Sequence, residues 1–533
     1  MDVVAAQDSP ESGPRPHSRA TRVFGASVLG YISQVLTVAV GLWLTPFLLK
    51  QLGANDYGLW LLALQLTSYL ILLDLGVVAL LPRETAFAIG RADGDRSTRA
   101  IAALVGRTVR IVMCQMPFVA AILFLGMLAL PAAWQSLSGP LYVIAGGFLL
   151  MFPARILHAL LQGLQETPFL ARVQIGTWAL GTTITVLLVL VGLGLYAVAI
   201  GWVTAQAIAA LLWWQRVRSQ HPAALPSTLP ALTRGLVAGW SRSGLWVSVA
   251  QVAQMLLAGT DLVIIGHALG PAAIVPFAVT GKLIAVLANQ PAMVMQSAQP
   301  ALSEMRANAG EKHRLLSVTT ALAQLMLLIS GGVFLIVIAT NEGFVSWWVG
   351  PSQYAGFAVT ASLLVSMMLR HWNTTTIFAL FAFGHERRIA LTALADGVLT
   401  VALSIVLVGT FGSLGAVLAS IIGVCVASLP SNLRALAAST NSSVSANIAP
   451  LVPWLVRFVC LSVATVLALH SRDVNSFARL AAVTIVVSTL YVAVMLPIAR
   501  RAPLGDYVSP LLRRVRESIP EFRSHALTWY EKK

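Results

Sequence analysis

The sequence has little charge. Asp, Glu, Lys and Arg make up 10% of its 533 residues, against about 25% in a soluble globular domain. With 57% hydrophobic residues and a mean hydropathy of +0.81, it has more apolar surface than a water-soluble core can hide. That excludes the large soluble protein and leaves an all-α polytopic membrane protein. Cysteine is scarce too. Cys114, Cys425 and Cys460 lie far apart inside apolar stretches, which excludes a disulfide framework and metal-ligand spacing; they read as packing residues. No loop is long enough to fold as a separate domain. The first 22 residues lack the charged-then-apolar order of a secretory signal, so residues 1–21 read as a disordered cytoplasmic tail.

What is present is a series of apolar stretches long enough to cross a bilayer. Fourteen are expected, at 23–49, 57–81, 109–130, 141–161, 169–191, 196–214, 243–266, 272–293, 315–339, 356–383, 389–408, 414–429, 451–469 and 478–498. An even count puts both termini on one side. On this map 30 of the 35 Lys and Arg fall in the tails, loops and span ends on that side, three (Lys50, Arg472 and Arg479) on the other, and two, Lys282 and Arg370, lie away from the membrane ends. The asymmetry makes the terminal side cytoplasmic. It also accounts for most of the net charge of +15 without a nucleic-acid partner.

Charges within spans are costly and mark function or pairing. The seventh and eighth spans form a hairpin, each with one interior charge: Asp261 in "LLAGTDLVIIG" and Lys282 in "FAVTGKLIAVL". Counted from the turn at 267–271 along straight helices, they lie about 9 and about 16 Å down their arms. A lysine side chain spans that difference, so the two are expected to pair. The pair reads equally as a structural bridge between the arms or as a cavity pair that meets an anion or a cation. Arg370 and Asp396 are expected to pair across the tenth and eleventh spans, mainly structurally. Asp74, near the inner end of the second span, reads as a gate or a helix anchor. Gln251 and Gln254 share a helix face, and Asp261, two turns on, extends it into a polar line. Gln34 is a further cavity candidate.

The chain also carries a faint internal repeat. Leu52-Gly53 aligns with Leu269-Gly270 at an offset of 217, and Gly163 with Gly384 at 221. Two six-helix bundles of equal orientation follow, residues 22–222 and 235–435, in a parallel pseudo-two-fold repeat. Two extra C-terminal helices occupy 450–499, and a basic cytoplasmic tail occupies 500–533, with amphipathic character for the inner leaflet.

The opening "LTPFLLKQLGANDYGLWLLALQLTSYLILLDLGV", with Tyr57-Gly58-Leu59-Trp60 and Asp74-Leu75-Gly76, resembles the Wzx-type polysaccharide flippases of the multidrug/oligosaccharidyl-lipid/polysaccharide exporter superfamily. "TDLVIIGHALGPAAIVPFAVTGKL" is similar to that family's opening of the second bundle, departing from it at Val275-Pro276-Phe277. The resemblance spans about residues 20–435 and implies a flippase, not an enzyme. It would translocate an undecaprenyl-diphosphate-linked oligosaccharide across a bacterial inner membrane for O-antigen, capsule or exopolysaccharide assembly, by alternating access driven by an ion gradient. H+ and Na+ are the coupling candidates, a polysaccharide polymerase is a candidate partner, and no cofactor or metal site is expected. Such a substrate needs basic groups for its diphosphate, and Lys282 and Arg370 are the candidates, with Gln251, Gln254 and Gln34 for the sugar. Asp261, Asp74 and Asp396 are the ion-coupling or gating candidates. A peptidoglycan-precursor flippase would show basic residues in the first, second and eighth spans, and the first two offer none in mid-membrane, which ranks it lower. A multidrug–cation antiporter would show carboxylates in the first bundle's cavity, where the only interior one is Asp74, near a span end. A membrane-embedded polymerase or glycosyltransferase would need a large, charged outer loop, and the outer loops are short.

Overall fold

The computed structural model describes residues 17–91, 95–226, 228–229, 231, 234–289, 291, 295, 302, 312–469, 476–507 and 509. Among them there is no strand. Most of the N-terminal tail and of the basic C-terminal tail lies outside the described residues.

Among the described residues, ten helices are long and apolar enough to cross a membrane, or up to twelve if each of two bent pairs is one span. The fourteen expected spans therefore do not separate one to one. The first two are a single helical run, α1 (His17–Tyr69), broken at Gly53. The seventh and eighth are the bent pairs. The tenth is a helix (Phe357–Ala382) that carries Arg370, His371 and Asn373 and is not one of the ten.

Gly53 adopts φ 77°, ψ 170°, a conformation open essentially only to glycine. Gly270, its expected counterpart, adopts φ 90°, ψ 160°. The same unusual backbone at the same repeat position explains why Leu-Gly recurs there. The departure at Val275-Pro276-Phe277 leaves this turn intact. The second repeat mark shifts by two residues. The left-handed position is Gln165 (φ 60°) in the first half and Gly384 (φ 79°) in the second, an offset of 219.

By internal packing the chain divides into two compact units. The first comprises Met1–Gln51, Leu73–Leu130 and Leu137–Gly244. It contains α2 (Val77–Arg91), α3 (Asp95–Leu128), α4 (Ser138–Met151), α5 (Arg155–Gly163), α6 (Thr167–Leu190) and α7 (Tyr196–Gln220). Small residues bring its helices close, as expected where apolar burial alone does not drive helix association. A Cβ on Gly201 would strike Thr185 of α6, and one on Gly147 would strike Val203 of α7.

The second unit comprises Leu52–Leu72, Pro131–Ser136 and Leu245–Lys533. It holds most of α8 (Arg234–Ala258), then α9 (Thr260–Ala268), α10 (Ile274–Thr280) and α11 (Lys282–Asn289). They are followed by α12 (Lys312–Trp348), α13 (Phe357–Ala382), α14 (Glu386–Phe411), α15 (Ser413–Gly423), α16 (Leu429–Ser439), α17 (Val444–Ile448), α18 (Val452–Leu469) and α19 (Phe477–Ala499). The last two are the extra C-terminal helices. They close over α12 through one apolar cluster that includes Leu327, Phe334, Trp454, Phe458 and Tyr491. The Tyr491 hydroxyl donates to the Leu328 carbonyl. The three cysteines are exposed, so they do not serve as packing residues. Their neighbours in the helices supply the buried faces.

The α12–α19 contact depends on Gly331, where an added Cβ would lie 2.7 Å from the Tyr491 hydroxyl. Gly331→Val should destabilise the protein by roughly 1–3 kcal/mol, the usual cost of overpacking a tight contact. Tyr491→Phe, which removes only the hydroxyl, should cost about 1 kcal/mol. Thermal unfolding in detergent checks the order of the two.

Candidate functional site

Both arms of the charged hairpin are broken beside their charges. The α8 helix stops at Gly259 (φ −149°, ψ 0°), and Asp261 lies in the first turn of α9. The α10 helix ends against Gly281, and α11 starts at Lys282 after a bend of 45°. A carboxylate at a helix start is favoured by the local dipole, whereas an ammonium there is not. The expected Asp261–Lys282 pair is not formed. Among the described residues no ion pair joins Lys282 to any carboxylate. The count of depths along straight helices fails because neither helix is straight at the relevant residue. The polar line on the seventh span is broken at the same place. Gln251 is half-buried with its Oε1 unpartnered, Gln254 is exposed, and Gly259 bends the chain before Asp261. Gln34 is half-buried in the first unit.

The hairpin is covered by the 52–72 stretch of its own unit. Gly58 approaches the turn so closely that an added Cβ would fall on the Pro271 carbonyl. The Tyr69 hydroxyl donates to the Gly259 carbonyl at 3.0 Å, and Trp134 Nε1 donates to the Gly266 carbonyl at 3.3 Å. The break at Gly259 thus leaves a carbonyl unpaired within the helix, and Tyr69 satisfies it, as buried backbone groups require.

Arg370 is the centre of a buried network on α13, α14 and α15. Its Nε donates to Ser420 Oγ at 3.0 Å, its Nη2 to the same oxygen at 2.8 Å, and its Nη1 reaches Asp396 Oδ2 at 3.5 Å. Asp396, with 1% of its side chain exposed, also accepts from Thr400 Oγ1 at 3.1 Å and Ser428 Oγ at 2.6 Å. Asn373 extends the network to Ser428 at 3.1 Å, and Asn432 donates back to Asn373 at 2.9 Å. Ser428 ends a π-helical turn, Val424–Ser428, a local distortion common at functional positions. Gly423 precedes that turn because a Cβ there would meet Thr400 Oγ1 and Asp396 Oδ1. His371 turns the other way, its Nδ1 lying 2.6 Å from Ser330 Oγ. The expected Arg370–Asp396 pair is therefore present, and three hydroxyls expand it. Sequence reasoning missed those hydroxyls, although Ser366, Arg370 and Asn373 stand at helical spacing on one face.

Asp74 anchors an interruption in the first unit. The chain passes through a 3-10 turn, Leu70–Asp74, then two left-handed residues, Leu75 (φ 48°) and Gly76 (φ 72°). The buried carboxylate accepts from the Gly76 amide at 2.8 Å and from Arg155 Nη2 at 2.9 Å. Gln115 Nε2 donates to the Asp74 carbonyl at 3.4 Å. Arg155 is far from Asp74 in the chain, and the sequence carries no signal of their pairing. Its Nη1 remains buried without a partner.

In the turn before α6, Glu166 accepts from Arg216 at 2.8 Å and lies 3.2 Å from His221 Nε2. Burial raises the Glu166 carboxyl, but the hydrogen bonds and charges of Arg216 and His221 outweigh it and hold the group below the usual carboxylate range. A depressed folded-state pKa contributes stability above the unfolded value and loses it as pH falls through the folded one. Unfolding midpoints measured from neutral to acid pH should therefore fall less steeply in Glu166→Gln than in the parent. In the second unit, Arg370→Met should cost about 3–5 kcal/mol by stranding the Asp396 carboxylate. Arg370→Met with Asp396→Asn should recover a good part of the loss, which a double-mutant unfolding cycle reads directly.

Residues 107–355 match the family model for polysaccharide biosynthesis proteins. No curated protein matches the sequence. Among solved structures, the chain is similar to a lipid II flippase, MurJ, in an inward closed conformation. The TM-score is 0.65 at 11% identity, covering 89% of this chain and 99% of the other. It is similar also to a multidrug resistance MATE family transporter in an inward-facing conformation, with TM-score 0.54 at 15% identity, covering 79% and 99%. A third is a transporter from Pyrococcus furiosus, with TM-score 0.51 at 14% identity, covering 79% and 96%. These likenesses establish a shared fold.

Proposed function

We propose that the protein is a Wzx-type flippase that moves an undecaprenyl-diphosphate-linked oligosaccharide across a bacterial inner membrane for surface polysaccharide assembly. Both termini would then be cytoplasmic. The observation that carries this reading is Lys282. It is a half-buried ammonium in mid-span, at a helix break, with no carboxylate paired to it among the described residues. An unpaired cation within a membrane span is costly, and it is retained most economically where an anion arrives to meet it. The diphosphate of a lipid-linked sugar is such an anion. The family match to polysaccharide biosynthesis proteins supports the substrate class.

Arg370 is committed to Ser420 and Asp396, so in this reading it organises the second unit rather than gripping the head group. Asp261 is the better coupling candidate for H+ or Na+. Asp396 already accepts from Thr400 and Ser428 and faces Arg370. Asp74, held by Arg155, acts as the anchor of a helix break that moves when access alternates. Gln251, with a buried and unpartnered Oε1, is the best of the three glutamines for a sugar hydroxyl. A polymerase that consumes the product remains the candidate partner.

The test is surface polysaccharide at matched protein level in a strain that lacks its own copy. Lys282→Ala should reduce polymer at least about tenfold, the loss of one charge-assisted contact. Lys282→Arg should keep most of it. The swapped double Asp261→Lys with Lys282→Asp should fail to rescue, because the two charges do not pair. Normal polymer in Lys282→Ala would sink the proposal. Rescue by the swap would restore the structural pair in its place. Growth support in a strain depleted of its lipid II flippase would instead assign a peptidoglycan precursor as the cargo.

A further inference from the structure

Two surface grooves, one in each unit, occupy equivalent positions of the internal repeat. The first, about 380 Å³, is lined by residues that include Phe169, Arg172, Val173, Gly176 and Leu212. The second, about 520 Å³, is lined by residues that include Arg388, Leu391, Thr392, Ala395 and Ser431. Each residue of the second set follows its counterpart by 219, the offset fixed by the left-handed positions Gln165 and Gly384. The repeat thus builds the same groove twice, between the fifth and sixth helices of each half. In each half two arginines line its basic end, Arg172 and Arg216 in the first and Arg387 and Arg388 in the second. They fall at different repeat positions, so the groove and not the residue register is what the two halves share.

The two differ in charge balance. In the first groove Arg216 is neutralised by Glu166 at 2.8 Å. Arg172 beside it donates to the Pro168 carbonyl. No carboxylate lines either groove, and in the second neither arginine has an ion pair among the described residues. Arg388 donates only to Ser431, at 2.9 Å to its carbonyl and 3.0 Å to its hydroxyl. Arg387 stacks on the Trp246 ring at 5.1 Å. Both partners are neutral, both arginines are exposed, and both guanidinium groups are held in place. From Gly384 to Ala395 the groove follows the helix for about 16 Å, passing from arginines and His385 to Leu391 and Ala395.

We propose that the second groove binds an anionic glycerophospholipid of the leaflet at the arginine-rich end. The phosphodiester would sit on Arg387 and Arg388, and an acyl chain would lie along Leu391 and Ala395. Fixed guanidinium groups match phosphate geometry, basic pockets between transmembrane helices hold anionic lipid heads, and the apolar floor gives the tail a place that free phosphate does not need. The proposal requires only a membrane-spanning chain and stands apart from the choice of transported substrate.

The test is native mass spectrometry of the full chain in detergent, titrated with phosphatidylglycerol, phosphatidylcholine or inorganic phosphate. The parent should retain phosphatidylglycerol over phosphatidylcholine. Arg387→Gln with Arg388→Gln should weaken that retention by about tenfold or more. Ala395→Trp, which keeps both charges and fills the groove, should weaken it as well. Arg500→Gln with Arg501→Gln, the same charge loss elsewhere, should not. Equal loss in the two double variants would overturn the site in favour of general surface charge. Unchanged retention in Ala395→Trp would overturn the acyl-chain seat, and displacement by inorganic phosphate would reassign the groove to a free anion. Displacement by undecaprenyl diphosphate at equal concentration would give it to the transported lipid and defeat the resident-phospholipid proposal. Surface polysaccharide, measured in parallel, reports on transport separately.

Discussion

Everything in this molecule is arranged around the expense of taking charge out of water. In a span, a carboxylate or guanidinium persists only if other groups replace its hydration. Each unit solves this once with a buried Asp–Arg contact: Asp74 with Arg155 in the first, Asp396 with Arg370 in the second. The two contacts are not repeat equivalents, since neither pair maps onto the other at the offset of 219. They arise separately, and each sits where the helix geometry is irregular. Asp74 terminates a 3-10 turn before two left-handed residues, and Asp396 faces the π-helical turn that ends at Ser428. An irregular turn releases backbone groups or redirects side chains, and a polar residue beside it takes up the difference. The buried pairs and the breaks in the helices are thus two aspects of one constraint.

Much of the fold was legible because its signals are additive along the chain. Apolar length, the asymmetry of Lys and Arg, and the recurrence of Leu-Gly each accumulate over many residues, and a local misreading hardly disturbs them. The Leu52-Gly53 and Leu269-Gly270 match rests on a backbone requirement that only glycine meets, which is why two residues sufficed. Gly163 and Gly384 matched for a weaker reason. The position that needs a left-handed residue in the first half is occupied by Gln165, and a non-glycine in that role gives no sequence signal.

The site was less legible because it depends on geometry at single residues. Arg370 and Asp396 were found as a pair since both are charged and rare. Ser420, Ser428 and Thr400 were not, since hydroxyls on apolar helices are common and most return their hydrogen bond to the preceding turn, as Thr374 does to Arg370. The Asp261–Lys282 pair failed for a different reason. It assumed regular helices, and glycine stands next to or near each charge, at Gly259 and Gly281. A glycine beside an intramembrane charge was itself the warning, because it is where a helix most readily bends.

The same reasoning bears on why the two halves diverge. A repeat that conserves backbone but not charge can divide its tasks. The groove between the fifth and sixth helices is closed electrostatically in the first half by Glu166 and left open in the second, where Arg387 and Arg388 face neutral partners. Lys282 and Arg370, the two basic residues away from the span ends on the sequence map, are both in the second half. Arginine held by a fixed partner shapes a unit, and a cation without one is a site for something not part of the chain. By that criterion the first half pairs Arg155 with Asp74 and Arg216 with Glu166. The second half carries the positive charge still to be matched, at Lys282 in mid-span and at the arginine pair near the helix ends. In the proposed reading, two anions at two depths, one travelling and one resident, would satisfy that imbalance without asking one group to serve both.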